Sequence, residues 1–121
     1  MLKTKIAVFV SGGGTNFEAL INAQENGKIP HGEIVLMVSS SKTAYALKRA
    51  ENHGIKSVVC SKKELGSQES FEEEILKNLE ENDIQLIVLA GFMSILSKEF
   101  TKKYENRIIN IHPSLIPSFC G

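Results

Sequence analysis

The sequence predicts a single α/β domain with a doubly wound, mostly parallel sheet and helices on both of its faces. Five short runs rich in Ile and Val are apolar at nearly every position, which is typical of strands buried on both faces. Stretches with helical spacing separate these runs, and nothing rich in Pro or Ser interrupts the series as a linker would. The predicted strands are residues 6–10, 34–38, 55–59, 84–89 and 108–111.

Each stretch between two strands places apolar residues at the spacing of one helix face. These residues are Phe17, Leu20 and Ile21, then Ala46, Leu47 and Ala50, then Phe71, Ile75, Leu76 and Leu79, and finally Phe100 and Tyr104. Gly27 and Gly54 predict the ends of the first two helices, because glycine readily takes the left-handed conformation that follows a helix. Ser70 and Glu73 have the spacing of a capping box at the start of the third helix.

Composition bounds the functions that the chain can have. Its 121 residues, 42% hydrophobic and 23% charged, suffice for one domain with a buried core. Lys plus Arg and Asp plus Glu both total 14 and no basic stretch is interleaved with aromatics, so we expect no nucleic-acid partner. The apolar run near the N-terminus is too short for a signal or a membrane span, which predicts a cytoplasmic protein without a membrane partner.

Three further sets of residues are predicted to have no functional role. Cys60 and Cys120 are far apart and have no metal-binding spacing, so we interpret them as reduced thiols. His31 and His53 lack carboxylate or cysteine neighbours at ligand spacing, so we expect surface histidines and no metal site. The acidic run at residues 72–74, with Glu80 and Glu81, is interpreted as a solvated helix face.

The glycine-rich segment Ser11-Gly12-Gly13-Gly14-Thr15-Asn16 joins the first strand to the first helix. Backbone N–H groups at such a turn favour an anion, which predicts a ligand that carries a phosphate. A dinucleotide fingerprint would need glycine where Phe17 stands and an acidic residue in place of the polar residues 39–42. A P-loop would need Lys followed by Ser or Thr, which is absent, and a purely structural tight turn stays an alternative.

Asn110 and His112 are two residues apart in the fifth predicted strand, so their side chains project from the same face. Strand carboxyl ends are where open α/β sheets bind ligands. An amide N–H beside an imidazole suits acyl transfer, because fixed donors stabilise the oxyanion and histidine handles a proton near neutral pH. The alternative is a structural histidine bonded to nearby backbone.

Three segments together resemble the phosphoribosylglycinamide formyltransferase family, also called glycinamide ribonucleotide transformylase, over essentially the whole chain. They are SGGGTN after the first strand, LAGFMSIL at the fourth and NIHPSLIP at the fifth. The resemblance implies a Rossmann-like formyltransferase fold. It also implies transfer of a formyl group from the co-substrate 10-formyltetrahydrofolate to the amine of glycinamide ribonucleotide, in de novo purine biosynthesis and without a metal.

The same resemblance implies roles for particular residues. Asn110 and His112 would be catalytic, with Asn110 at the formyl group, and Gly14, Thr15 and Asn16 would hold the phosphate. The folate pocket would comprise Gln68, Met93, Ser94, Ile95, Leu96 and Asn110. Ser94 and Gln68 stand where many members of the family have arginine, which weakens the folate assignment in detail without moving the pocket.

Residues 1–121 are expected to be one N-terminal formyltransferase domain. Members of the family have a catalytic aspartate and further strands beyond this point, so we expect a truncated fold that lacks its C-terminal strands and has little activity alone. Two other functions remain open at this stage, a non-catalytic phosphate- or nucleotide-binding fragment and another formyl-folate enzyme such as formyltetrahydrofolate deformylase. The oligomeric state is left open as well.

Overall fold

The computed structural model describes residues 3–42 and 44–111, which form one parallel sheet flanked by helices. The strands are β1 (Thr4–Val10), β2 (Gly32–Ser39), β3 (Lys56–Val59), β4 (Leu86–Ala90) and β5 (Ile108–Ile111). All paired strands are parallel, and their order is β3-β2-β1-β4-β5. The predicted doubly wound α/β fold is therefore confirmed.

Two strands begin later than the apolar pattern predicts. The N–H of Ile55 donates to the carbonyl of Ala50, and the N–H of Ile84 donates to the carbonyl of Leu79. Both residues therefore close the preceding helix rather than start a strand, and their apolar side chains pack at its end. β3 starts at Lys56 and β4 at Leu86 for this reason.

Five helices connect the strands, one more than the sequence predicts. They are α1 (Thr15–Glu25), α2 (Ala46–Asn52), α3 (Lys62–Leu65), α4 (Gln68–Glu81) and α5 (Lys98–Lys103). The additional helix, α3, has four residues and no buried side chain, so it carries no apolar periodicity that could reveal it. Gly27 and Gly54 do follow the first two helices with positive φ, as predicted.

The predicted capping box at Ser70 is wrong. The helix starts at Gln68, and the hydroxyl of Ser67 accepts from the Ser70 N–H at 3.1 Å. The sequence offers two serines three residues apart, and the first occupies the extended conformation that an N-cap requires.

The helices divide into two layers, each with its own core. On one face of the sheet, Phe17 and Ile21 of α1 and Ala50 of α2 pack against Val8 and Val88. On the other face, α4 and α5 contribute a second core that is built around Phe9, Phe71, Ile75, Ile87 and Phe100. The chain changes faces between β3 and β4, so the switch point of the sheet lies between β1 and β4.

The central strands β1, β2 and β4 are mostly buried, whereas the outer strands are not. Within the described part of the chain, β3 and β5 are the edges of the sheet, and Val59 and Ile109 are 37% and 49% exposed. The expectation of burial on both faces is therefore wrong for these two strands. Ile and Val suit any half-buried pleated strand, so their enrichment does not distinguish an edge from a centre.

Cys60 is free and fully buried against the second core. Burial raises the pKa of its thiol to about 11, so the sulfur stays protonated and unreactive near neutral pH. Cys120 lies outside the described residues. Among the residues that are described, no helix is both long and apolar enough to cross a membrane.

Candidate active site at the switch point

The carboxyl ends of β2, β1 and β4 meet at the hydroxyl of Ser11. This oxygen accepts from the N–H of Met93 at 2.7 Å and from the hydroxyl of Ser40 at 2.7 Å. Ser11 follows β1, Ser40 follows β2, and Met93 lies in the β4 loop (residues 91–97). One side chain therefore joins the loops on both sides of the switch point, where open α/β sheets form their binding crevice.

The glycine loop (residues 11–16) needs glycine at position 14 for structural reasons. Gly14 has φ 77° and precedes α1, and a Cβ there would lie 2.7 Å from the Cβ of Ala46. Gly14 therefore permits both the left-handed turn and the close approach of α1 to α2. Gly14 therefore has a structural requirement for glycine, whether or not the loop also binds a ligand.

Gly12 and Gly13 have no such structural requirement. Neither has positive φ, and no heavy atom of the described residues lies within 4 Å of a Cβ built on either one. Both are exposed at the carboxyl end of β1. The fold tolerates side chains at these positions, so the missing Cβ atoms leave space through which a ligand can approach the backbone.

The first turn of α1 is left uncapped, unlike the first turns of three other helices. Ser61, Ser67 and Ser97 cap α3, α4 and α5 with their hydroxyls. Gly14 stands at the corresponding position of α1, and no side-chain hydrogen bond from the described residues caps that helix. The backbone N–H groups at its start are therefore available to an anion, which the helix dipole also favours.

An ionic cluster stands behind the glycine loop. The Arg49 guanidinium donates through Nε to the Gly13 carbonyl at 2.7 Å and through Nη1 to Glu18 at 3.3 Å. His53 contacts the same Glu18 carboxylate at 2.8 Å through Nε2 and Glu25 at 3.3 Å through Nδ1. His53 does lie near the surface, with its side chain 22% exposed, but the expectation that it has no carboxylate neighbours is wrong. Its carboxylate partners come from a different helix, at positions that sequence spacing does not relate.

The charges in this cluster stabilise one another. Burial alone would raise the pKa of the Glu18 carboxyl, but hydrogen bonds and charge from His53 and Arg49 hold it below its usual range. The hydrogen bond that His53 donates to Glu18, opposed by burial and helped by the charges of Glu18 and Glu25, raises the pKa of His53. The cluster therefore favours the ionised form of Glu18 and, through it, the protonated form of His53.

The β4 loop presents exposed apolar side chains beside the crevice. Gly91 has φ 74° and turns the chain out of β4, and the ring of Phe92 packs edge-on against Phe9 with centroids 5.3 Å apart. Beyond this anchor, Met93 and Ile95 are 82% and 81% exposed. Ser94 and Leu96 alternate with them and are half-buried, and Leu96 packs against the second core.

Glu72 fixes the end of the β4 loop to α4. Its carboxylate accepts from the N–H and the hydroxyl of Ser97, both at 2.5 Å, and from the Gln68 amide at 2.7 Å. Gln68 also donates to the Ile95 carbonyl at 2.8 Å. Burial alone would raise the pKa of the Glu72 carboxyl, but the hydrogen bonds from Ser97 and Gln68 lower it.

The solvated helix face predicted for residues 72–74 is therefore wrong at its first member. Glu72 is 8% exposed, whereas Glu73 faces solvent. Successive residues of a helix point about 100° apart, so three consecutive glutamates span about 200° and need not all face solvent. The sequence shows the run of three glutamates, but it does not show which of them is buried by the β4 loop.

Asn110 lies one strand away from the β4 loop. It is opposite Leu89 in the β4–β5 pairing, and strand alternation places it on the face of Ile108, which packs with the second core. Its side chain is exposed near the carboxyl end of β5. His112 and the rest of the motif through Pro117 lie outside the described residues.

The structure thus brings together most of the predicted site residues that it describes. Gly14, Thr15 and Asn16 lie at the start of α1, while Met93, Ser94, Ile95 and Leu96 lie in the loop beside it. Sequence reasoning missed Ser11, Arg49 and Glu72, which tie these parts together. Among residues 3–42 and 44–111, no three His, Cys, Asp or Glu side chains are grouped so that they could bind a metal ion.

A family model described as "Formyl transferase" matches residues 4–121. The chain belongs to this family. It is 49% identical over 119 residues to the trifunctional purine biosynthetic protein adenosine-3 of Gallus gallus, covering 98% of this chain and 12% of that protein. It is 39% identical to the phosphoribosylglycinamide formyltransferase of Haemophilus influenzae, covering 97% of this chain and 55% of that one.

Solved structures of this formyl transferase family have the same fold. Glycinamide ribonucleotide transformylase 1 from Geobacillus kaustophilus superposes with a TM-score of 0.87 at 39% identity, covering 98% of this chain and 63% of that one. The phosphoribosylglycinamide formyltransferase from Brucella melitensis superposes equally well, with a TM-score of 0.87 at 42% identity, covering 98% and 62%. The chain therefore spans somewhat over half the length of these single-function relatives.

Proposed function

We propose that this chain supplies the glycine loop, the β4 loop and the Asn110–His112 pair of an enzyme that formylates glycinamide ribonucleotide from 10-formyltetrahydrofolate. The observation that carries the proposal is the Ser11 hydroxyl, which joins the glycine loop to the β4 loop through Met93. A group-transfer enzyme must bring two substrates together, and these two loops meet at one crevice. The names of the similar proteins support the identity of the two substrates.

The glycine loop is the proposed phosphate site of the ribonucleotide. Gly14, Thr15 and Asn16 stand at the uncapped start of α1, and the open space at Gly12 and Gly13 admits a close approach. The hydroxyl of Thr15 and the amide of Asn16 add polar groups at the same place. The loop binds a monophosphate in this proposal, because it lacks the lysine that a P-loop directs at a triphosphate.

The β4 loop is the proposed pterin site. Met93 and Ile95 offer apolar surface, and the loop's backbone groups can bond the heterocycle. Gln68 contributes indirectly in the described arrangement, because its amide already donates to Ile95 and Glu72. Asn110 stands on the neighbouring strand, from which its amide can reach the formyl oxygen.

The proposed chemistry joins the glycyl amine nitrogen to the formyl carbon. The amine lone pair forms the new C–N bond as the carbonyl electrons move onto oxygen. The oxyanion then re-forms the C=O bond as the bond from the formyl carbon to the folate nitrogen breaks. Asn110 and protonated His112 donate hydrogen bonds to the oxyanion, and the proton lost by the amine balances the one gained by the folate nitrogen. No metal is needed for this balance.

The same residues could belong to a binding module or to a deformylase, and the products distinguish these functions. The complete protein, given glycinamide ribonucleotide and 10-formyltetrahydrofolate, should yield formylated ribonucleotide and tetrahydrofolate. A deformylase would release formate without consuming the ribonucleotide, and a binding module would bind ligand without turnover. Either result would refute the proposal.

His112 supplies the matched test of catalysis. His112→Ala should lower kcat by about 10²-fold or more, the range typical of a lost proton-handling group. His31→Ala is the control, since His31 is exposed at the start of β2, away from the strand carboxyl ends. Equal activity in both variants would leave His112 without the proposed role.

We also propose that residues 1–121 form one formyltransferase domain, which is supported by the single sheet and the family match over residues 4–121. A cytoplasmic location and the absence of a nucleic-acid partner stay predictions of the sequence.

A further inference from the structure

Arg49 is held on three sides at the back of the glycine loop. Its Nε donates to the Gly13 carbonyl at 2.7 Å, its Nη1 bonds Glu18 at 3.3 Å, and its guanidinium lies 4.9 Å from the ring centre of Tyr45. The side chain is 23% exposed, well below what a free surface arginine shows. A planar guanidinium with donors in fixed directions is suited to such simultaneous contacts.

The contact with the Gly13 carbonyl fixes the direction of the next amide. The peptide between Gly13 and Gly14 is planar and trans, so its C=O and N–H point in opposite directions. With the carbonyl held towards Arg49 on α2, the Gly14 N–H is directed away from α2. Gly12 and Gly13 have no side chain or positive-φ constraint of their own, so the loop backbone needs an external contact to keep this orientation.

Packing provides room for this contact and orients the arginine. A Cβ on Gly14 would lie 3.4 Å from the Cδ of Arg49, so the glycine lets the arginine stem lie against the loop. Glu18 sits one turn into α1 and anchors the far side of the guanidinium, while His53 holds Glu18 in turn. The contacts link α2, the glycine loop and α1 into one unit.

We propose that Arg49 is a positioning residue for the glycine loop, whose bond to the Gly13 carbonyl orients the loop amides for the phosphate of the ribonucleotide. This inference rests on the proposed function, because it assigns the phosphate to this loop. Arg49 acts through the backbone, since its Nε and Nη1 are already engaged by Gly13 and Glu18.

Titration calorimetry with glycinamide ribonucleotide and, separately, with tetrahydrofolate tests this in the complete protein. Arg49→Ala should weaken ribonucleotide binding about tenfold, the factor that corresponds to one charge-assisted hydrogen bond. Tetrahydrofolate affinity should stay unchanged, because the β4 loop has separate anchors. Arg49→Lys keeps the charge but cannot place donors at both the Nε and Nη1 positions, so it should remain closer to Arg49→Ala than to the unaltered protein.

Arg107→Ala is the matched control. Arg107 also stacks on a tyrosine, Tyr104, with a 4.9 Å separation, and also donates to a backbone carbonyl, that of Lys103 at 2.9 Å. It precedes β5 and therefore lies at the amino ends of the strands, away from the crevice. Its loss should not change ribonucleotide affinity.

A second readout separates this inference from the proposed function. In ¹H–¹⁵N spectra without ligand, the Gly13 and Gly14 amide signals should shift or broaden in Arg49→Ala and not in Arg107→Ala. Unchanged ribonucleotide affinity in Arg49→Ala, or full affinity in Arg49→Lys, would overturn the positioning role. If the loop signals respond but the unaltered protein binds no ribonucleotide, the proposed function fails while the role of Arg49 in the loop stands.

Discussion

Replacing Glu72 by alanine removes the acceptor of three hydrogen bonds that fix the β4 loop to α4. Two come from Ser97 at 2.5 Å each and one from Gln68 at 2.7 Å. Each bond to a charged acceptor contributes about 1.5 kcal/mol or more, which would give about 4.5 kcal/mol for the three. Glu72 lies near the surface at 8% exposure, so water can take over part of the bonding, and we expect a loss of about 3 kcal/mol.

The glutamine variant should be milder. Its amide oxygen can accept from the Ser97 N–H and from Gln68, while its NH2 group faces the Ser97 hydroxyl, which already accepts from the Phe100 N–H. One bond and the charge are therefore lost, for a cost of about 1–2 kcal/mol. Glu73→Ala is the control on the adjacent, exposed position and should change stability by less than about 0.5 kcal/mol.

The effect of Glu72 should depend on pH in one direction. The pKa of its carboxyl is lower in the folded protein than the ordinary 4.5, so ionisation stabilises the fold above pH 4.5. This stabilisation is lost as pH falls through the folded-state pKa. The stability gap between the unaltered protein and Glu72→Gln should therefore be constant near neutral pH and narrow under acid conditions.

Urea denaturation followed by circular dichroism, repeated from pH 7 down to pH 3, measures both effects. A Glu72→Ala variant no less stable than Glu73→Ala at pH 7 would contradict the anchoring role of Glu72. A stability gap to Glu72→Gln that widens on acidification would contradict the lowered pKa of its carboxyl.

Two comparisons test the remaining backbone assignments. Gly14→Ala should cost about 2 kcal/mol or more, because it combines positive φ with a Cβ 2.7 Å from that of Ala46, whereas Gly12→Ala should cost less than about 0.5 kcal/mol. Ribonucleotide binding should nonetheless weaken in Gly12→Ala, and unchanged calorimetric affinity would remove the ligand argument for that glycine. Ser67→Ala should cost about 1 kcal/mol as a lost N-cap, and thermal melting that ranked Ser70→Ala as the more damaging change would contradict the assigned cap.

The sequence predicted the features of the fold that follow from the periodic spacing of apolar residues. The five apolar runs became the five strands, and the buried residues Phe17, Ile21, Phe71, Ile75 and Phe100 followed helical spacing into the two cores. The buried residues on one face of a helix or strand recur at a fixed spacing, so they can be recognised from a single sequence. The boundaries were less predictable, because an apolar residue such as Ile84 serves a helix end as well as a strand start.

The candidate site divides in the same way. Gly14 could be singled out because it belongs to a run of three glycines between a strand and a helix, and Asn110 because it is polar in an otherwise apolar strand. Ser11, Arg49 and Glu72 could not, because each acts through a partner far away in the chain. Ser11 and Met93 are 82 positions apart, and no local pattern relates them. Serine is common after a strand, and glutamate is common in an acidic helix. Only their contacts with Met93 and Ser97 in the folded protein distinguish Ser11 and Glu72 from other residues of the same type.

The contacts that hold the two loops indicate how the proposed site would combine its two proposed substrates. The glycine loop is fixed through Arg49 and α2 on one face of the sheet, and the β4 loop is fixed through Glu72 and α4 on the other. Each loop thus has its own support in a separate core, and the Ser11 hydroxyl joins them where the sheet changes faces. A doubly wound sheet provides this arrangement directly, because its switch point is where loops supported from opposite faces come into contact. Each loop can therefore be adapted to its ligand without repacking the core beneath the other.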